Sequence, residues 1–126
     1  MDNHYNHFKK IDAHSHIGKF GSPFNIDFDL QRLTEQMEAY NIEKTILCPA
    51  GCHLNEELKT AYQAAPDKII PLCWVNANEG QEAYDMLEHY LRHENFAGVK
   101  MQPLFDAFTA DSPMVDPIME LSLIHI

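Results

Sequence analysis

Two histidines one residue apart, His14 and His16 in the segment IDAHSHIG, carry the strongest chemical signal in the chain. In an extended segment, side chains two apart project from the same side, so Asp12, His14 and His16 face one way while Ile11, Ala13, Ser15 and Ile17 face the other. Two imidazoles then converge. Imidazole nitrogen suits zinc, iron or nickel, and a His-x-His pair at the C-terminal end of a strand lets both rings reach one ion at about 2.0–2.1 Å. A bare pair in an arbitrary loop would more often be two surface histidines; here it closes a strand, and a loop containing glycine follows. Asp12 is a candidate pocket group, with a structural hydrogen-bonding role equally open. Phe20, Phe24 and Trp74 are candidates for a pocket wall, and Trp74 also suits the core.

Cys48, Cys52 and His53 form a second cluster of ligand-type residues. Zinc sites usually assemble four ligands from two such clusters, and Cys48 lies in an apolar stretch where a free cysteine behaves as a small hydrophobe. The cluster is therefore read as structural; for His53 a solvated place at a helix start is favoured over one pointing into the same mouth as the first-strand pair. With Cys73 the cysteines are odd in number, and they are expected to remain thiols.

The elements that must position these groups are legible in the hydrophobic pattern. KKIDAHSHI (9–17) alternates and reads as a strand, and the KFGSPFN stretch after Gly18 reads as a loop that cannot continue it. Residues 28–42 place Leu30, Leu33 and Met37 at helical spacing. KTILCPA (44–50) is a continuous apolar run, as in a strand covered on both faces. A helix over 55–65 with Leu58, Ala61 and Tyr62 on one face follows, and Pro66 stops it. The cycle repeats with a strand over 68–77, a helix over 80–93 and a fourth strand over 96–105. Strands starting near positions 10, 44, 69 and 97 suit right-handed strand-helix units on a parallel sheet. No G-x-G-x-x-G or Walker A pattern follows the first strand, which favours a barrel of repeated units over a doubly wound nucleotide-binding domain. Periodicity alone leaves the two nearly even.

The composition, 45% hydrophobic and 22% charged, is that of a soluble globular protein rather than a disordered, fibrous or membrane one. No apolar run approaches the roughly 20 residues that span a bilayer, and the start lacks the apolar core of a secretory signal, so a cytoplasmic location is expected. A formal net charge of -10 repels phosphate backbones and anionic lipid. Neither nucleic acid nor a membrane is an expected partner.

IDAHSHIG resembles the first-strand signature of the amidohydrolase superfamily, and GVKMQP (98–103) resembles the fourth-strand segment of its amidohydrolase-2 branch, the relatives of aminocarboxymuconate semialdehyde decarboxylase. PLCWVNANEG resembles the third unit of that branch, so the likeness extends over most of residues 9–120. The resemblance implies a TIM (β/α)₈ barrel, of which this chain would hold about the first four β/α units as residues 1–120. It also implies one divalent metal, usually zinc, held by His14 and His16 together with a histidine and an aspartate from later strands. The implied function is a metal-activated water attacking an amide, ester or lactone-like bond of a small-molecule substrate. Non-oxidative decarboxylation in the same branch is the alternative, and a small non-enzymatic α/β binding module is the other. Some branches carry a metal-bridging carboxylated lysine on the fourth strand; in the branch resembled here, Lys100 is expected to be a pocket-lining cation or a structural residue.

Such a barrel needs about 250 residues. The final LSLIHI (121–126) abandons the helical pattern before it and resembles the translation of a mosaic-end sequencing adapter, so it is expected to be a non-native tail whose His125 is no metal ligand. Open sheet edges and an uncovered apolar face imply self-association, and the chain alone is expected to lack activity and to bind metal weakly.

Overall fold

Alternation of apolar runs with amphipathic segments produces four parallel strands with helices packed along one side. The computed structural model describes residues 7–124, so His125 lies outside the described residues. In chain order the elements are β1 (Lys10–Ser15), β2 (Gly18–Phe20), β3 (Ile26–Phe28), α1 (Leu30–Ala39), β4 (Ile42–Leu47), α2 (Asn55–Ala64), β5 (Ile69–Trp74), α3 (Gln81–His93), β6 (Gly98–Lys100), α4 (Pro103–Asp106) and α5 (Asp116–Ile124). The main sheet has the order β1-β4-β5-β6, with every neighbouring pair parallel, and it curls as half of a barrel. This is the α/β half-barrel that the repeated units imply.

The helices begin and end where side-chain chemistry allows. The Asp29 carboxylate accepts the Arg32 N–H at 2.9 Å and so satisfies one open donor at the start of α1. Asn41 and Asn95, just beyond α1 and α3, take positive φ of 56° and 57°. Asparagine tolerates that left-handed conformation, which is why α1 stops short of position 42. The core lies between sheet and helices: Leu47, Ile69, Cys73 and Val75 meet Leu33, Met37, Leu58, Ala61, Leu87 and Leu91.

An amide side chain is built into that core, along with the hydroxyls of Thr45 and Ser122. Asn55 is 1% exposed. Its amide nitrogen donates to the Trp74 carbonyl and its oxygen accepts the Trp74 N–H, both at 2.9 Å. The side chain thus pairs β5 where β4 has already turned away, and it pins the start of α2 to the end of β5. On the outer face the Tyr90 hydroxyl donates to Glu56 at 2.6 Å, and Lys59 pairs with Glu94 at 2.9 Å.

Three segments differ from the sequence expectation. The stretch after Gly18 folds into an antiparallel hairpin, β2 with β3, in which Gly18 pairs with Phe28 and Phe20 with Ile26. Strands of three residues are too short to show a period. The fourth strand ends at Lys100, because Pro103 starts the single helical turn of α4, a position where its missing N–H costs nothing. The helical pattern does not break at Leu121. Helix α5 continues to Ile124 with Leu121 and Ser122 buried, and Ser122 lies against Gly98 of β6.

Removing the Asn55 amide leaves both Trp74 backbone groups buried and unpaired, so Asn55→Ala should cost about 2–4 kcal/mol in urea unfolding. Glu56 is held below the usual carboxylate range, chiefly by the Tyr90 hydroxyl. A lowered carboxylate pKa stabilises the fold above the ordinary value near 4.5 and loses that contribution as pH falls through the folded value. Tyr90→Phe should therefore flatten the loss of urea stability between neutral and acid pH. Among the described residues strands β1 and β6 each have a neighbour on one side only, and Ile11 is 64% exposed on β1. The isolated chain should self-associate with rising concentration in sedimentation velocity, and a monodisperse monomer at all concentrations would contradict this.

Candidate metal centre

His14 and His16 stand at the C-terminal end of β1, beside the point where β4 runs into Cys48. His16 Nδ1 lies 2.7 Å from the Cys48 carbonyl oxygen. A carbonyl only accepts, so Nδ1 carries the proton and Nε2 keeps its lone pair. His16 Nε2 is in turn 2.9 Å from His14 Nε2, with the ring planes at 69°. With His16 Nε2 the acceptor, His14 Nε2–H donates this hydrogen bond; two nitrogens held by one ion at about 2.0–2.1 Å stand about 2.9 Å apart at a right angle and about 3.3–3.4 Å apart at the tetrahedral angle of zinc, so the two rings already lie near the spacing of adjacent ligands. Burial lowers the His16 pKa, the positive ends of His14 and Lys100 lower it further, and the Cys48 hydrogen bond opposes them. The ring is thereby biased to its neutral, ligating form. Among the described residues, no third histidine, cysteine, aspartate or glutamate completes a metal-binding group with them.

Both imidazoles open into a cavity of about 720 Å³. Its wall is aromatic and aliphatic: Phe20, Phe24, Ile26 and Phe28 from the β2–β3 hairpin, Ala50, Trp74 from β5 and Phe105 from α4. Polar groups enter it from His14, His16, Lys100 and Gln102. No carboxylate among the described residues forms an ion pair with Lys100. Its charge is available to an anion. Trp74 is only 5% exposed yet lines the cavity, and its indole Nε1–H donates to Asp106 at 3.1 Å.

The candidate residues divide accordingly. The structure brings His14, His16, Lys100, Phe20, Phe24 and Trp74 together around one space. Asp12 does not join them. The register of β1 against β4 is irregular between Asp12 and Ser15, which interrupts the simple alternation expected of the strand, and the Asp12 carboxylate accepts the His14 backbone N–H at 3.0 Å. Its observed part is the structural one. His53 is exposed and lies outside the cavity lining, Cys48 is buried, and all three cysteines are free thiols. Sequence reasoning missed Ile26, Phe28, Gln102 and Phe105, because it saw neither the hairpin nor the α4 turn; the Gln102-Pro103 step was the available signal for the latter.

No family model matches the chain, and no curated protein matches it. Solved structures do. A 5-carboxyvanillate decarboxylase from Novosphingobium aromaticivorans, with manganese and 3-methoxy-4-hydroxy-5-nitrobenzoic acid bound, superimposes with a TM-score of 0.79 at 16% identity, covering 94% of this chain and 49% of that one. An amidohydrolase II gives 0.77 at 18% identity, covering 90% and 46%. The 2,6-dihydroxybenzoate decarboxylase from Rhizobium gives 0.68 at 16%, covering 93% and 47%. The chain has the half-barrel fold found in these three structures, and it spans about half the length of their chains. Among the described residues no helix is long and apolar enough to cross a membrane.

Proposed function

We propose that this half-barrel carries two ligands of a divalent-metal site and half of the cavity of an enzyme that decarboxylates a small aromatic acid without an oxidant. The observation that carries the reading is the 2.9 Å approach of two imidazole Nε2 atoms, one with its tautomer set from behind, at an aromatic cavity that Lys100 also lines. A bound divalent ion would supply Lewis acidity toward a substrate oxygen or a water. His14 and His16 would hold it. Lys100 would draw the anionic group of the substrate inward, and its attraction is strengthened by the apolar surroundings. The phenylalanines and Trp74 would stack on the substrate ring and keep water from it. Proton transfer would fall to the complementary half of the barrel, where the family resemblance places a histidine and an aspartate.

The two decarboxylases among the structural neighbours support this reading, and the amidohydrolase II among them equally supports the hydrolytic one that the first-strand motif suggests. Hydrolysis of an amide, ester or lactone remains the second reading, favoured by a two-imidazole set that leaves the other coordination positions to water. Zinc is the proposed ion on the borderline character of imidazole, with manganese its competitor, as in the carboxyvanillate decarboxylase. The acidic chain makes a small molecule in the cytoplasm the proposed partner, rather than nucleic acid or membrane.

Titrating the chain calorimetrically with zinc and with manganese should show one ion bound weakly per chain. That binding should vanish in His14→Ala and in His16→Ala while the far-ultraviolet circular dichroism is unchanged. Binding that survives His14→Ala would remove the site. In a protein joining this half to its complement, carbon dioxide release from hydroxylated benzoates would identify decarboxylation, and acid release from an ester or amide would identify hydrolysis.

A further inference from the structure

Asp106 is absorbed neither by the metal site nor by the core. It ends α4, the one-turn helix after β6, and its carboxylate accepts the indole N–H of Trp74, which ends β5. A second tie joins the same two places, because the Asn78 side-chain amide donates to the Asp106 carbonyl. Asn78 is itself held by the Asn76 side chain, which accepts its backbone N–H at 3.0 Å. Ala107, at φ +56°, turns the chain out of α4, and Phe108 N–H closes the turn onto the Pro103 carbonyl at 3.1 Å. The loops after β5 and β6 are thus fastened together at one residue.

We propose that Asp106 is a positioning residue for the cavity: it locks the Trp74 indole as a wall of fixed orientation and holds in place the turn that brings Phe105 and Gln102 to the lining. An indole N–H can only donate, and a buried donor requires an acceptor. An ionised carboxylate is the strongest acceptor available, and it binds the one edge of the ring that can report rotation. The ring face remains free for the cavity. That face is where a planar substrate would stack, so this role rests on the aromatic-acid reading above.

Trp74 is the chain's single tryptophan, so its fluorescence reads the wall directly. The experiment compares the full chain with Asp106→Ala, Asp106→Asn, Trp74→Phe and the double variant Asp106→Ala/Trp74→Phe. Three things are measured: iodide quenching of the indole, hydrogen exchange of its Nε1–H by NMR, and binding of 3-methoxy-4-hydroxy-5-nitrobenzoate by equilibrium dialysis. Asp106→Ala should raise iodide quenching, expose the N–H to exchange and weaken the probe about fivefold, the size of one hydrogen bond's net contribution. Asp106→Asn should restore all three to near the parent values, since the amide oxygen still accepts. In the Trp74→Phe background, which lacks the donor, Asp106→Ala should cost nothing further. An equal loss in both backgrounds would overturn the proposal, as would unchanged quenching in Asp106→Ala. Should Asp106→Ala fail to fold, the parent chain decides: an indole N–H exchanging as fast as in free tryptophan overturns the proposal, and a protected one supports it. Failure of the parent to bind the probe would sink the aromatic-acid reading of the cavity, while quenching and exchange still judge Asp106.

Discussion

A backbone carbonyl offers lone pairs and nothing else, so the 2.7 Å contact of the Cys48 oxygen with His16 Nδ1 decides which imidazole nitrogen is protonated and which way the ring faces. The second nitrogen is then presented to His14 with its lone pair free, and the 2.9 Å spacing of the two Nε2 atoms follows. This arrangement depends on parallel pairing: Ser15 sits against Leu47, and Cys48 N–H bonds to the Ser15 carbonyl at 2.9 Å, which brings the Cys48 peptide beside His16. The site is therefore made where two neighbouring parallel strands end side by side. Orientation of a ligand from behind is the usual way a protein holds a histidine ready for a metal.

Around that pair the structure sets apolar surface against a few polar groups. The hairpin supplies a phenylalanine-rich wall, β5 supplies Trp74, and α4 supplies Phe105, which is 78% exposed. Apolar side chains left in water so close to a cation and two imidazoles are costly for folding and useful for binding a flat apolar ligand with one charged group. The same logic separates the two faces of the sheet. The helix side is closed and anchored by Asn55, whereas the face of β1 that carries Ile11 stays open.

Much of this was legible in the order of residues. Apolar runs near Ile42, Ile69 and Gly98 announced parallel strands, and Leu33, Met37, Leu58 and Leu87 marked the buried faces of the helices, because periods of two and of 3.6 are properties of the local chain. The His-x-His spacing at the end of a strand was equally local. The resemblance of IDAHSHIG and GVKMQP to amidohydrolase segments is matched by the half-barrel fold. What was misjudged was short or contextual. Three-residue strands such as β2 and β3 leave no period to read, and α5 runs past Leu121 because Gly98 and α3 give that face something to pack on.

Sequence by itself therefore determined the four main strands and the helices between them and singled out the two imidazoles at the end of the first strand, since each rests on periodicity or spacing within a few residues. Only the tertiary structure decided that Asp12 turns to the backbone of His14, that Lys100 joins the cavity from 84 positions beyond His16, and that Asp106 reaches Trp74 from 32 positions away. Those contacts exist because strands distant along the chain end side by side, and no local pattern records which side chain will find a neighbour across a sheet.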